Sequence, residues 1–264
     1  MYLVFKKSMS VSFGTPRQHH PSCASTNTLA GDWARQGAPE GTVVSADYQS
    51  AGKGRLGRIW DAPMAENLLF SVVLRPPLLQ EHYGQVVMAA AVAVSEALAE
   101  AIHSEQFQIK WPNDILLASK KVCGMLLETV SGTDALLLGI GVNVNQQLFP
   151  DELRPKATSL ALFTKTTIDR EALMATVLAK LEVCLNRLYH SGIAEIRHTY
   201  LHHLAGLGER IRLQLPSGEP SQGFLAGVNE QGHLMVMEKG GIRTYVAGEV
   251  SLAGFYAHLD KDHD

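Results

Sequence analysis

The chain has 264 residues, 46% hydrophobic and 19% charged, with a formal net charge of −3 at pH 7. Those proportions belong to a soluble globular protein with room for one large domain and a small one. The slightly acidic balance argues against a nucleic-acid partner, which would want a basic surface.

Residues 1 to about 20 have mixed composition and read as a leader, poorly ordered or added to the edge of the fold. Met1 to Phe5 followed by Lys6 and Lys7 has the wrong order and length for a signal peptide. No apolar run approaches the roughly 20 residues that span a bilayer. Cys23, Cys123 and Cys184 are odd in number and form no CxxC or Cys/His metal spacing, so reduced thiols in a cytoplasmic setting are expected. Cys123, in an apolar run, reads as a buried inert thiol.

Ser25-Thr26-Asn27 stands before a helical pattern in which Leu29, Ala30, Trp33 and Ala34 share a face, with Gly37 as its stop. The three small polar residues either cap this helix or hydrogen-bond a polar ligand, and capping is the commoner role. Thr42 to Ala46 is β-branched and strand-like, and Asn67 to Leu74 is a second strand. Between them lies Asp47 to Trp60, in which three glycines and three cations fall within residues 52–58. Glycines let backbone N–H groups approach an anion, Lys53, Arg55 and Arg58 add charge, and the indole of Trp60 can stack on a planar base. The spacing Gly52-x-Gly54-x-x-Gly57 also fits the dinucleotide fingerprint. That motif needs a helix at its last glycine, and here another strand follows.

Tyr83 to His103 is alanine-rich and apolar almost throughout, a buried helix. Phe107 to Trp111 alternates as a strand, Pro112-Asn113-Asp114 is a turn, and Ile115 to Leu117 begins the next strand. Lys110, Asn113 and Asp114 are thus held around one tight turn. Val122 to Glu128 is again strand, with Gly124 inside it, which often marks a close approach by a ligand or another backbone. In Asp134 to Asn145 the period of two puts Gly139, Gly141 and Asn143 on one face, as the floor of a pocket. Asp169 to His190 and Ile193 to about Leu204 are amphipathic helices, the first with Asp169 as N-cap. His198 and His202 have metal-compatible spacing, but no acidic residue completes a HExxH pattern. From Leu207 onward short strands alternate with turns such as Pro216-Ser217-Gly218, the pattern of a small antiparallel barrel.

Ser25-Thr26-Asn27, the loop from Gln49 to Trp60, Lys110-Trp111-Pro112-Asn113-Asp114, Lys121 to Glu128 and Gly139 to Asn145 occur in this order and spacing. Together they resemble the biotin–protein ligases, specifically bacterial biotin–[acetyl-CoA carboxylase] ligases, from about residue 23 to the C-terminus. The resemblance implies an α+β fold: a mixed sheet with packed helices of class II synthetase type at residues 21–205, and an SH3-like barrel at 206–264. It implies biotin and ATP as substrates, Mg²⁺ accompanying ATP with no permanent metal site, and a biotin carboxyl carrier protein as acceptor. No nucleic acid and no membrane are implied, and the protomer is a monomer or a homodimer. Some relatives add an N-terminal helix-turn-helix domain; about 20 residues before the first motif are too few for one, so the ligase-only type is expected.

Residue by residue, the resemblance assigns biotin contacts to Ser25, Thr26, Asn27, Gln49, Gly52, Lys53, Gly54, Arg55, Lys121, Gly124, Gly139 and Gly141. It assigns nucleotide contacts to Arg58, Trp60, Lys110, Asn113 and Asn143. Lys53 stands where many members carry arginine, which keeps the charge and loses the bidentate fork. The chemistry joins two anions, the biotin carboxylate and the α-phosphate, which repel by roughly 4 kcal/mol at ~4 Å and an effective dielectric near 20. Arg55, Arg58 and Lys121 offset this, and Asp114 is expected to orient or deprotonate the acceptor lysine. A lipoate or octanoate transferase of the same superfamily, a nicotinamide-dependent oxidoreductase and a non-catalytic binding module are the alternatives.

Overall fold

The computed structural model describes residues 13–216 and 218–252. The first 12 residues of the predicted leader, Ser217 in a predicted turn, and residues 253–264 of the predicted barrel lie outside the described residues. Residues 17–20 do form an edge: β1 (Arg17–His20) pairs in parallel with β2 (Val43–Ala46).

The apolar runs become a seven-stranded sheet in the order β1-β2-β3-β7-β6-β5-β4, antiparallel except for its first pair. Its further members are β3 (Leu68–Leu74), β4 (Phe107–Lys110), β5 (Asp114–Leu117), β6 (Lys120–Thr129) and β7 (Leu136–Val142). Period-two geometry sorts its residues between two faces. Val43, Val72 and Leu138 enter the large core with α2 (Tyr83–Ile102). Their neighbours Val44, Val73 and Leu137 enter a small cluster with Ala30 and Ala34 of α1 (Thr26–Arg35). One face is therefore covered by long helices. The other is covered only in part by the short α1, and the uncovered part holds the cavity described below.

The segment Gln80–Ile102 is long and apolar enough, by length and hydropathy, to cross a bilayer, contrary to the sequence expectation. Its composition answers to a different partner: it packs against β4, β5, β6 and α4, with most of its residues buried. α4 (Arg170–Ser191) buries Leu173, Val177, Leu181, Leu185 and Leu188, as its spacing predicts. Asp169 caps it by accepting from the N–H groups of Glu171 and Ala172 at 2.9 and 3.1 Å. α3 (Leu160–Thr164), unforeseen, is too short to show periodicity; Ser159 caps it through Leu162 N–H. α5 (Ala194–His202) completes the helical layer.

The C-terminal strands β8 (Arg210–Gln214), β9 (Pro220–Val228), β10 (Leu234–Glu238), β11 (Gly241–Tyr245) and β12 (Glu249–Leu252) pair antiparallel in the order β11-β10-β9-β8-β12. Among the described residues no ladder joins β11 to β12, so the predicted barrel is here an open antiparallel sheet. Ile211, Leu213, Leu225, Leu234 and Val250 belong to the same core as α2 and α4. The two sheets therefore share one apolar interior. Three polar struts reinforce it: Trp111 Nε1 donates to Gly232 O at 2.9 Å, Gln85 Nε2 to Glu230 O at 2.9 Å, and Arg197 Nε to Val228 O at 2.8 Å.

Trp111, predicted as the last residue of a strand, is thus a buried link between the Pro112–Asp114 turn and the C-terminal sheet. Trp111→Phe leaves the Gly232 carbonyl without its donor, and is expected to lower the unfolding free energy by about 1–3 kcal/mol, read by denaturant titration.

Candidate active site

The ladder registers build one row across the sheet. Lys110 pairs with Asp114, Asp114 with Gly124, Gly124 with Gly141, and Gly141 with Leu69. Paired residues point to the same face, so a cation, an anion and two bare glycine positions lie side by side. Lys121 joins them through a register shift between Ile115 and Leu116. Without it Lys121 would share the core side with Cys123, a buried thiol whose pKa burial pushes up. The shift re-aims the side chain: Lys121 Nζ lies 2.8 Å from Asp114 Oδ1 and 3.1 Å from where a Cβ on Gly124 would stand.

The glycine-rich loop closes over this row. A short turn at Arg55–Gly57 and an isolated bridge between Lys53 and Ile59 fold it back on itself. Trp60 then lays its indole on the row: a Cβ at Gly141 would meet it at 2.6 Å and one at Gly124 at 2.8 Å. Lys121 Nζ stands 5.4 Å from the ring centroid, a cation–π distance. Gly52 has a different task from the predicted ligand contact. It is buried away from the cavity walls, and a Cβ there would lie 2.3 Å from Trp60 O. Gly139 likewise makes room for protein, since its Cβ would lie 2.6 Å from Asn27 Oδ1.

Ser25 occupies the N-cap position of α1 but makes no side-chain cap hydrogen bond, so the capping expectation fails. Gln49 serves the first N–H of the helix: its Oε1 accepts from Thr26 N–H at 2.7 Å and from the Thr26 hydroxyl at 3.0 Å. That leaves the Ser25 hydroxyl on the cavity wall.

The cavity has a volume of about 890 Å³, in the range of small-molecule and cofactor sites. Its walls carry eight lysines and arginines against three carboxylates, in a chain whose net charge is −3. Burial pulls the Arg55 guanidinium below its ordinary range, opposed by the charges of Asp114 and Glu249. Burial lowers Lys110 too, opposed by the same two carboxylates. Desolvated cations of this kind are stabilised by an anion brought among them. Arg55 Nη1 donates to Asn113 Oδ1 at 3.0 Å, which ties the loop to the Pro112–Asp114 turn. Arg58 makes a two-pronged pair with Glu249 of β12, with Nη1 to Oε1 at 2.8 Å, and this bond holds Glu249 below the usual carboxylate range.

Every residue that the sequence singled out lines this cavity except Gly52. Asn143 does so with its Nδ2 donating to Thr158 O at 3.0 Å. Sequence reasoning missed Phe70, Lys156, Arg210, Arg212, Gln222 and Glu249. The alternation Arg210-Ile211-Arg212-Leu213 marks one polar face of β8, the only signal available. Nothing local says that this face meets a loop more than 150 residues earlier.

Comparison with known proteins places these features. Residues 20–145 match the model of the biotin/lipoate A/B protein ligase family. The "Bifunctional ligase/repressor BirA" of Bacillus subtilis is 34% identical over 243 residues, 89% of this chain and 73% of that one. The biotin--[acetyl-CoA-carboxylase] ligase of Paracoccus denitrificans is 35% identical over 221 residues, 80% of this chain and 90% of that one. The solved structure of the Aquifex aeolicus biotin protein ligase in complex with biotin and ATP matches with a TM-score of 0.80 and 32% identity, over 89% of this chain and 97% of that chain. This chain therefore belongs to the biotin/lipoate A/B protein ligase family, and within it to the biotin–protein ligases.

Gly141→Ala places a methyl group where the indole lies, and is expected to drive Trp60 and its loop out of the cavity. Tryptic cleavage after Lys53, Arg55 and Arg58 should then accelerate several-fold over the parent, mapped by mass spectrometry; an unchanged rate would mean that the indole does not hold the loop.

Proposed function

We propose that this chain activates biotin with ATP as biotinyl-5′-AMP and transfers the biotinyl group to a lysine of a biotin carboxyl carrier protein. The observation that carries this reading is the row Lys110–Asp114–Gly124–Gly141 beneath Trp60, with Lys121 turned into it, in a chain that superposes on a ligase solved with biotin and ATP. Residues 21–205 are the catalytic part. The sheet from 206 onward is an SH3-like module that lends Glu249, Arg210 and Arg212 to the cavity wall.

In the first step a biotin carboxylate oxygen attacks the α-phosphorus of ATP, and pyrophosphate leaves. Ser25, Thr26, Asn27 and Gln49 hold the polar end of biotin, and Gly124 and Gly141 with Trp60 form the walls of its slot. Lys121 stands at the reacting carboxyl and phosphate, and Arg55, Arg58, Lys53 and Lys110 offset the charge gathered there. Asn113 and Asn143 border the nucleotide. Among the described residues no three His, Cys, Asp or Glu side chains cluster as metal ligands. Asp114 and Glu249 on the cavity wall are each paired with a cation. Mg²⁺ would enter with ATP as part of the substrate.

In the second step a neutral lysine amine of the carrier attacks the acyl carbon, AMP leaves, and the amine gives up a proton as the amide forms. Loop closure keeps water from the mixed anhydride until then. The Asp114 oxygen expected to serve that amine lies against Lys121, so its first task is to hold Lys121 in place.

Biotin-dependent exchange of pyrophosphate into ATP tests this reading, with lipoate as the competing acid. Exchange with biotin and none with lipoate is expected; its absence would overturn the proposal. Lys121→Ala is expected to lower the exchange rate at least about 100-fold, in the range lost with a single transition-state charge contact. Asp114→Asn is expected to slow both exchange and transfer from preformed adenylate. A loss confined to transfer would return Asp114 to the role of base.

A further inference from the structure

One carboxylate behind the cavity has no part in the chemistry above. Glu128 pairs across the sheet with Leu137 and therefore faces α1. Asn27 Nδ2 donates to its Oε2 at 2.6 Å. Ser71 Oγ stands within hydrogen-bonding distance of both Asn27 Oδ1 and Thr26 Oγ1, the latter at 2.7 Å, and Thr26 in turn meets Gln49 Oε1. Ser71, Thr26 and Asn27 are all buried. The result is a continuous polar chain, Glu128–Asn27–Ser71–Thr26–Gln49, running along the wall assigned to the polar head of biotin.

Counting donors decides the direction of that chain. A carboxylate accepts and does not donate, so Asn27 must turn its amide nitrogen toward Glu128. Its oxygen then faces Ser71 and needs a proton. Ser71 has one proton, which can go to Asn27 Oδ1 or to Thr26 Oγ1, and with the Asn27 oxygen facing it that proton goes to Asn27. Gln49 Oε1 takes both the backbone N–H and the hydroxyl of Thr26, which leaves its amide nitrogen for other partners. Remove Glu128 and the Asn27 amide is free to turn over. Its nitrogen would then face Ser71, whose proton would turn to Thr26 Oγ1. Asn27, which lines the cavity, would present a donor where it now presents an acceptor.

We infer that Glu128 is a positioning residue that sets the hydrogen-bond polarity of the biotin-head pocket through Asn27 and Ser71, and so selects a cyclic urea with its two N–H donors and one carbonyl acceptor. The inference rests on the biotin reading. It goes beyond that reading by assigning head-group selection to a side chain outside the cavity wall.

The test is ATP–pyrophosphate exchange by Glu128→Leu and Glu128→Gln, with biotin and with 2-iminobiotin, in which C=NH replaces the urea carbonyl. Glu128→Leu is expected to raise the KM for biotin at least tenfold, leave kcat and the KM for ATP within about threefold, and shrink the preference for biotin over 2-iminobiotin. Glu128→Gln keeps an acceptor oxygen and should recover most of the loss. An unchanged biotin KM, an equal rise in the ATP KM, or an unchanged analogue preference would overturn the inference. Should Glu128→Leu not fold, by its thermal melt, Glu128→Ala is judged by the same thresholds. Lack of biotin-dependent exchange in the unsubstituted protein would instead sink the biotin reading itself.

Discussion

An antiparallel sheet can carry a ligand on its face only where side chains are missing from that face. Here the opposed pair Gly124 and Gly141 creates the gap, and the Trp60 indole borders it at a distance no other residue type at those positions would tolerate. The rest of the site follows from that contact. Because the indole rests on the glycines, the loop that carries it is held over the sheet, and Lys53, Arg55 and Arg58 come with it. Because Arg55 and Arg58 arrive there, Asn113 and Glu249 find their partners.

The second constraint is electrostatic. A chain with a slight negative charge has gathered its cations around one cavity, where burial alone would disfavour their charged forms. Two of the three carboxylates on the cavity wall, Asp114 and Glu249, are each bonded to a cation, and the wall still carries more cations than carboxylates. The cavity is therefore built to be completed by anions, which matches a reaction that brings a carboxylate and a triphosphate together. Sharing one apolar core between the two sheets supplies the rigidity that holds Glu249 at a fixed place on the opposite wall.

Much of this was legible from local pattern. Strand alternation located β2 to β7, glycine clustering found the loop, and the helical period of α4 and its Asp169 cap came out as read. The failures have specific causes. Ser25 was left open between capping the helix, the commoner role, and holding a ligand; its side chain makes no cap hydrogen bond, and Gln49 from another segment accepts the first N–H of the helix. Gly52, expected at a ligand, lies off the cavity wall with Trp60 backbone atoms beside it, whereas Gly139 lines the cavity with Asn27 as its nearest neighbour. α2 has the composition of a membrane span and the location of a core helix, since both environments exclude water.

The amino-acid sequence by itself determined which chemical groups are available and on which face of which strand or helix each one lies, because those depend on backbone periodicity and on neighbours a few residues away. Only the tertiary structure decided which groups meet. The register shift that turns Lys121 inward, the pairing of Arg58 with Glu249 across 191 residues, and the run of polar contacts from Gln49 to Glu128 all depend on distances between segments far apart in the chain. Such distances are set by how the shared core packs, and core packing is a property of the whole chain at once.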